Sequence, residues 1–267
     1  MSTIGLGVLS WRGAASLKSA LQSYADLDFF SLFDENLLFL PDPDKAVLKV
    51  ADQFNISMQQ ANDNFGIMSG MEQLAKRLST DYILLTENDC PLIESHDEAK
   101  RQLQKAVELL DSGQADIARM RHVKQPGEPL VALDKYIRYY PKNDTFFARL
   151  RRVLRPAKAE RLIGTAIFSE QFPDKKFPQH FDNIGDGFYL VDASVMTWTN
   201  QSFLINRKFF LETIIAYAKT VPFTRGANGY PALEIELNRS KFWTKSGWKI
   251  ACGSGLLTHE RLENRGY

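Results

Sequence analysis

Glu87, Asn88 and Asp89 place two carboxylates one residue apart at the mouth of an apolar run, Tyr82-Ile83-Leu84-Leu85. From a tight turn both can reach one point. Oxygen ligands of that kind suit a hard divalent cation such as Mg2+ or Mn2+, which keeps room for waters and phosphates. An ion held there would bridge a diphosphate and offset the charge gathering on a departing nucleotide. A solvated turn opening a helix has a similar composition, so the weight of the triplet comes from its place directly after a strand-like run.

Other constellations carry less. Gly5-Leu6-Gly7 lies inside a strand-like segment and lacks the third glycine before a helix that a dinucleotide fingerprint requires. There is no P-loop, no GxSxG elbow and no HExxH pair. Cys90 and Cys252 form neither a CxxC nor a zinc-ligand spacing. Arg149, Arg151, Arg152, Arg155, Lys158 and Arg161 alternate with Phe146, Phe147, Leu150, Val153 and Leu154. The simpler reading is a solvated basic helix face that Pro156 ends or kinks. The sharper readings are peripheral membrane contact through 146–161, on anionic lipid, or a clamp on a phosphorylated acceptor. Asp182, Asp186 and Asp192 cap turns or meet acceptor hydroxyls. Trp198, Phe203, Phe209, Phe210 and Tyr217 read as core aromatics.

The elements that must position these groups follow from hydrophobic periodicity. Residues 4–10 read as a buried strand, 16–24 as a helix, and 37–40 as a strand stopped by Pro41-Asp42-Pro43-Asp44. Then come a helix over 45–53, a short strand at 56–58, a turn at 62–66, a helix over 67–78 and the strand 82–85. Strands separated by helices predict a mostly parallel sheet with right-handed crossovers, whose ligands bind outside the carboxyl ends of the strands. Further on, a helix is expected over 97–110, strands over 115–121 and 196–206, helices over 207–218 and 231–244, and a final strand at 248–251. Residues 125–190 show no clear alternation and are expected to form an irregular insertion.

With 267 residues, the chain is long enough for one large α/β domain. Its 44% hydrophobic and 24% charged residues are those of an ordinary globular protein. A net charge of +1 gives no global pull toward nucleic acid, so no nucleic-acid partner is expected. Two lone cysteines suit a reducing compartment. The first ten residues lack a signal-peptide pattern and no apolar run is long enough to span a bilayer, so the expectation is a cytoplasmic protein, at most peripheral on the cytoplasmic face of a membrane.

Four segments, taken in order, resemble the inverting GT-A glycosyltransferases of the family 2 type. Val8-Leu9-Ser10-Trp11, with Leu17 and Leu21-Gln22-Ser23, resembles their first strand and helix. Asn64-Phe65-Gly66 resembles the turn before the helix that leads to the metal strand. Asp81 to Asp89 resembles the strand and DxD metal motif, with Glu87 in place of the first Asp. Glu234-Ile235-Glu236-Leu237, then Gly247-Trp248-Lys249-Ile250 and His259, resemble the family's acidic helix and C-terminal ending.

The resemblance implies an α/β, GT-A fold with a mostly parallel central sheet flanked by helices. It implies one domain over 1–267, with a nucleotide-sugar-binding half at 1–95 and an acceptor-binding half at 96–267. The implied reaction is metal-dependent transfer of a sugar, with inversion, from a nucleotide-diphosphate sugar (a UDP-sugar) to a hydroxyl of a glycan or glycolipid. Asp89, with Glu87 directly or through water, and His259 would hold Mn2+ or Mg2+. Ser10, Trp11, Asp42 and Asp44 would lie near the nucleobase or ribose, and Asn64, Gly66 and Asn88 would also contact the donor. The catalytic base would be Glu234, which anchoring on Leu237 places at the family's acidic position, or else Glu236. Two residues apart on a helix, these point about 200° apart, so only one can face the cleft. The competing readings are a sugar-nucleotidyltransferase, for which Ser10-Trp11-Arg12-Gly13-Ala14 is too poor in Gly and Arg, and a nucleotide-sugar-binding module without turnover.

Overall fold

The computed structural model describes residues 2–128, 130–222, 226–227, 229–238 and 240–263. The first third alternates as the apolar periodicity requires: β1 (Ile4–Leu9), α1 (Ala14–Asp26), β2 (Glu35–Pro41), α2 (Lys45–Ala51), β3 (Ser57–Ala61), α3 (Gly66–Arg77) and β4 (Tyr82–Glu87). β1 and β4 are buried along nearly their whole length. Continuous apolar runs of that kind belong to central parallel strands covered on both faces. α4 (His96–Asp111) follows, its Ser95 Oγ accepting from the Glu98 amide at 3.3 Å, and then β5 (Ile117–Arg121).

Among the described residues, β1 to β5 join β6 (Phe181–Gly185), β7 (Phe188–Asp192), β8 (Phe203–Asn206) and β11 (Lys249–Leu257) in one sheet of nine strands, in the order β3-β2-β1-β4-β8-β5-β11-β7-β6. β8 and β7 run against the other strands, which share one direction. Side chains alternate across the sheet. Leu6, Val8, Tyr82 and Leu84 join the core under α1, α2 and α4, while Leu9, Ile83 and Leu85 join the core under α3 and the C-terminal helices.

Several sequence expectations are corrected in the second half. The segment 125–190 is not irregular: it forms α5 (Val131–Tyr139), α6 (Phe146–Leu154), α7 (Pro156–Glu160), a 3-10 stretch (Ile163–Phe168), the single turn α8 (Pro173–Lys176) and the hairpin of β6 (Phe181–Gly185) with β7. The hairpin turn is Asp186-Gly187, both with positive φ of 53° and 76°, as a two-residue turn between twisted strands requires. That Asp-Gly pair was the available sequence signal. Asp186 is therefore a turn residue, and Asp182 and Asp192 are paired with Lys249 at 3.3 and 2.8 Å.

The strand expected over 196–206 shrinks to β8. Ser202 adopts a left-handed φ of 51°, and the Asn238 side-chain amide bonds both the N–H and the C=O of Trp198, taking the place of a strand neighbour. After β8, α9 (Arg207–Phe209), a π-helical stretch (Phe210–Ile215) and α10 (Ala216–Thr220) follow in succession. Pro231 does not start a helix. It sits in β10 (Tyr230–Pro231), paired with β9 (Gly226–Ala227), and the single expected helix divides into α11 (Leu233–Asn238) and α12 (Lys241–Thr244). The last strand, β11 (Lys249–Leu257), runs beyond the expected 248–251 and lies between β5 and β7. Both cysteines are free and buried.

Candidate active site

The register of the central strands brings the carboxyl ends of β1, β2 and β4 level, with Leu9 opposite both Phe39 and Glu87. Backbone bonds carry the alignment past the strands: the Ser10 amide donates to Phe39 O and the Asn88 amide to Leu9 O, each at 3.0 Å. Asn88 then stitches the two strand ends together, Nδ2 donating to Ser10 Oγ at 2.9 Å and to Arg12 O at 2.8 Å. Ser10 is fully buried in this stitch. It supports the site from beneath.

Above the strand ends opens a cavity of about 210 Å³. Trp11, Glu87 and Asn88 line it together with Asn200, Tyr230 and Glu234, and Asn64 and Gly66 line it from the start of α3. A second, shallower depression shares Trp11, Asn64 and Tyr230 and adds Asp42, Asn62 and Asp63. The two together make a cleft whose deep end carries Glu87 and Glu234 and whose outer end carries Asp42 and Asp63. Asp44 lies outside both, its Oδ1 accepting from the Val47 amide at 2.8 Å as the cap of α2.

Gly66 sets the width of this cleft. Its φ is +78°, and a Cβ on it would fall 2.5 Å from Tyr230 Cβ. Gly66→Ala is therefore expected to cost roughly 1–3 kcal/mol in strain and overpacking and to push Tyr230 from its wall. Calorimetric unfolding together with donor titration checks this, and an unchanged Tm would show that the wall yields freely.

The two acidic candidates on α11 part as their helical spacing predicts. Glu234 lines the cavity and its Oε1 accepts from the Asn200 backbone N–H at 2.8 Å. Glu236 is buried away from the cavity, and its Oε1 has no hydrogen-bond partner among the described residues. Arg119 and Arg121 lie within electrostatic reach of Glu234, and burial pulls the Arg121 guanidinium down to about 10, still protonated at neutral pH. Neither arginine stood out in the sequence, nor did Asn200 or Tyr230.

Asp89 is not on an exposed turn. It has no accessible surface, with His259 Nε2 at 3.3 Å and an Arg261 guanidinium nitrogen at 3.4 Å from its Oδ2. The chain after β11 runs back across this point, the Glu260 amide donating to Asp89 O at 2.8 Å and the Leu262 amide to Ser16 Oγ at 3.1 Å. Arg261 is thus grouped with Asp89 and His259, and none of the three lines the cavity or the shallower depression. In an extended chain residues two apart share a side, and that spacing from His259 was the overlooked signal. His259 Nδ1 lies 2.6 Å from Glu128 O. A carbonyl only accepts, so Nδ1 carries a proton, and in the neutral ring Nε2 presents a lone pair. Nε2 faces Asp89 Oδ2 at 3.3 Å and makes no hydrogen bond among the described residues. A histidine steadied through its far nitrogen by a backbone carbonyl suits metal ligation. Gly127 lets the Glu128 carbonyl come this close, since a Cβ there would lie 2.0 Å from His259 O.

No group of three or more His, Cys, Asp or Glu among the described residues forms a metal cage. Asp89 and His259 are both buried and line neither depression, so the chain after β11 would have to draw back for a cation to take them as ligands and complete its shell from water and phosphate oxygens, as Mg2+ and Mn2+ do.

No protein-family model matches the sequence, and no curated protein matches it. Solved structures do. The structure of S. aureus TarS 1-349 in complex with UDP-GlcNAc superimposes with a TM-score of 0.53 at 12% identity, over 98% of this chain and 60% of that one. TarS 1-349 in complex with UDP gives 0.50 at 12% identity, over 96% and 60%. A mannosyltransferase from Pyrobaculum calidifontis, in complex with GDP-Man and Mn2+, gives 0.48 at 11% identity, over 100% and 59%. The fold is GT-A. The chain spans about 60% of the length of the TarS 1-349 structure that it matches. In this GT-A fold the cleft lies where an open α/β sheet receives its ligands, beyond the carboxyl ends of the strands.

Proposed function

We propose that the protein is a glycosyltransferase that moves a sugar from a nucleotide-diphosphate sugar to an acceptor hydroxyl with inversion. One observation supports the reading above the others: Glu87 and Glu234, distant in sequence, both line one cavity at the carboxyl ends of β1 and β4. The donor is a UDP-sugar, a reading supported by the UDP-GlcNAc and UDP bound in the similar TarS structures. The acceptor is a glycan or glycolipid.

Each role follows from position. Trp11, Tyr230 and Asp42 border the outer depression and hold the nucleoside there, with Asn64 between it and the deep end. Glu87 and Asn88 orient the donor at the strand ends. Asp89 and His259 would hold Mn2+ or Mg2+, with Glu87 reaching it directly or through water; bound there, the cation neutralises charge on the departing diphosphate. Arg261 adds a second positive group at the same place. Glu234 accepts the proton of the acceptor hydroxyl as that oxygen attacks the anomeric carbon from the face opposite the diphosphate. The Asn200 N–H steadies Glu234 through one carboxylate oxygen and leaves the other for the acceptor.

A thermal-shift screen of nucleotide sugars with and without Mn2+ tests the reading, because a ligand bound only to the folded state raises Tm. A UDP-sugar at about 100 times its Kd should stabilise by roughly 2.7 kcal/mol, and the shift should vanish with EDTA. Pyrophosphate release from a nucleoside triphosphate and a sugar phosphate would instead mark a nucleotidyltransferase. Donor binding without hydrolysis or transfer would mark a binding module.

A further inference from the structure

α6 is built the wrong way round for a helix that serves only its own core. Ala148 is buried, and Arg152, half-buried, donates to Tyr139 O at 2.6 Å, so these two mark the inward face. At about 100° per residue, Phe146, Leu150 and Val153, with Phe147 and Leu154, occupy a sector of about 120° centred opposite that face. Their exposures are 71%, 40%, 76%, 67% and 69%. The apolar stripe therefore points straight into solvent. Arg149 and Arg151 border it on either side, and Arg155 and Arg161, both exposed, continue the positive charge beyond its end.

Asp144 engages Arg149 and Arg152, at 3.2 and 2.8 Å. Among the described residues Arg151, Arg155 and Arg161 form no ion pair. A chain whose net charge is only +1 has thus gathered unneutralised arginines around one exposed apolar stripe.

We propose that α6 and the start of α7 dock this protein on an anionic phospholipid surface, lying in the plane of the interface. The aromatic and aliphatic side chains enter the acyl boundary, and the arginines meet lipid phosphates. Charge selects this occupant over a second copy of the chain. A two-fold pairing of the stripe would bring two arginine-rich rims of like charge together, whereas anionic headgroups complement them. No helix among the described residues is long and apolar enough to cross a membrane, and an interfacial helix has no need to be. The inference stands independently of the proposed reaction, since none of these residues lines the cleft.

Flotation with vesicles of phosphatidylcholine, with and without phosphatidylglycerol, tests it on the full chain. Binding is expected only with phosphatidylglycerol, weakening as salt is raised. Phe146→Ser with Phe147→Ser should lower the partition coefficient about tenfold or more. Arg151→Glu with Arg155→Glu should remove the preference for phosphatidylglycerol. All four side chains are exposed, so unchanged thermal unfolding is the check that these variants fold. Failure of the parent protein to float with anionic vesicles would overturn the proposal, as would equal flotation of the phenylalanine variant. So would a solution dimer in sedimentation equilibrium that the phenylalanine variant turns into a monomer.

Discussion

Glu234→Gln is expected to lower kcat by about 10²–10⁴-fold, the usual contribution of a positioned general base, while donor affinity stays nearly unchanged. Glutamine keeps the length of the side chain, and its carbonyl oxygen still accepts from the Asn200 N–H that now holds Glu234 at 2.8 Å. The wall of the cavity is thereby preserved, and only the capacity to take a proton is lost. Glu236→Gln is the informative partner. Glu236 lies in the core away from the cavity, so that change should act on stability and leave kcat within a few-fold. Steady-state kinetics on both variants, with donor Kd measured separately, checks the pair. A larger loss of kcat at Glu236 than at Glu234 would remove the base from the cavity.

Asp89→Asn should abolish the gain in donor affinity that Mn2+ brings, by about 100-fold or more, since even partners one step removed from a metal account for 10–100-fold. The change is not free for the fold. Asp89 is fully buried against His259 and Arg261, and loss of its charge is expected to cost about 1–3 kcal/mol. Titration well below the variant's Tm separates the two effects. His259→Ala should produce the same loss, and the double variant little more than either single one, because members of one site do not act additively. Glu87→Gln should do less harm than Asp89→Asn if it reaches the cation through water. Full Mn2+-dependent turnover in Asp89→Asn would end the assignment.

The sequence was readable where its signals are local. The alternation of apolar runs gave β1 through β4 and α1 through α4 to within a few residues, because a buried parallel strand is continuously apolar and an amphipathic helix repeats every three to four residues. The placement of Glu87 and Asn88 at a strand end was legible for the same reason. The second half failed where tertiary contacts override local pattern. Residues 196–202 lose their strand to the Asn238 amide, a partner 40 positions away from Trp198. Pro231 is drawn into β10 by pairing with Gly226.

By itself, then, the sequence determined an α/β chain with two carboxylates at a strand mouth, and acidic residues and a histidine near its end. It favoured Glu234 over Glu236 only through the family resemblance, because both belong to the same short helix and nothing local says which side of α11 meets the sheet. The tertiary structure decided that point by burying Leu233, Glu236 and Leu237 and leaving Glu234 to line the cavity. It also decided that Asp44 caps α2, that Ser10 lies beneath the site, that Asn200 and Tyr230 line the cavity and that Arg261 meets Asp89. The last three lie more than a hundred positions from Glu87, a separation across which no periodicity or spacing carries information. Only the packing of β11 and α11 against the sheet brings them together.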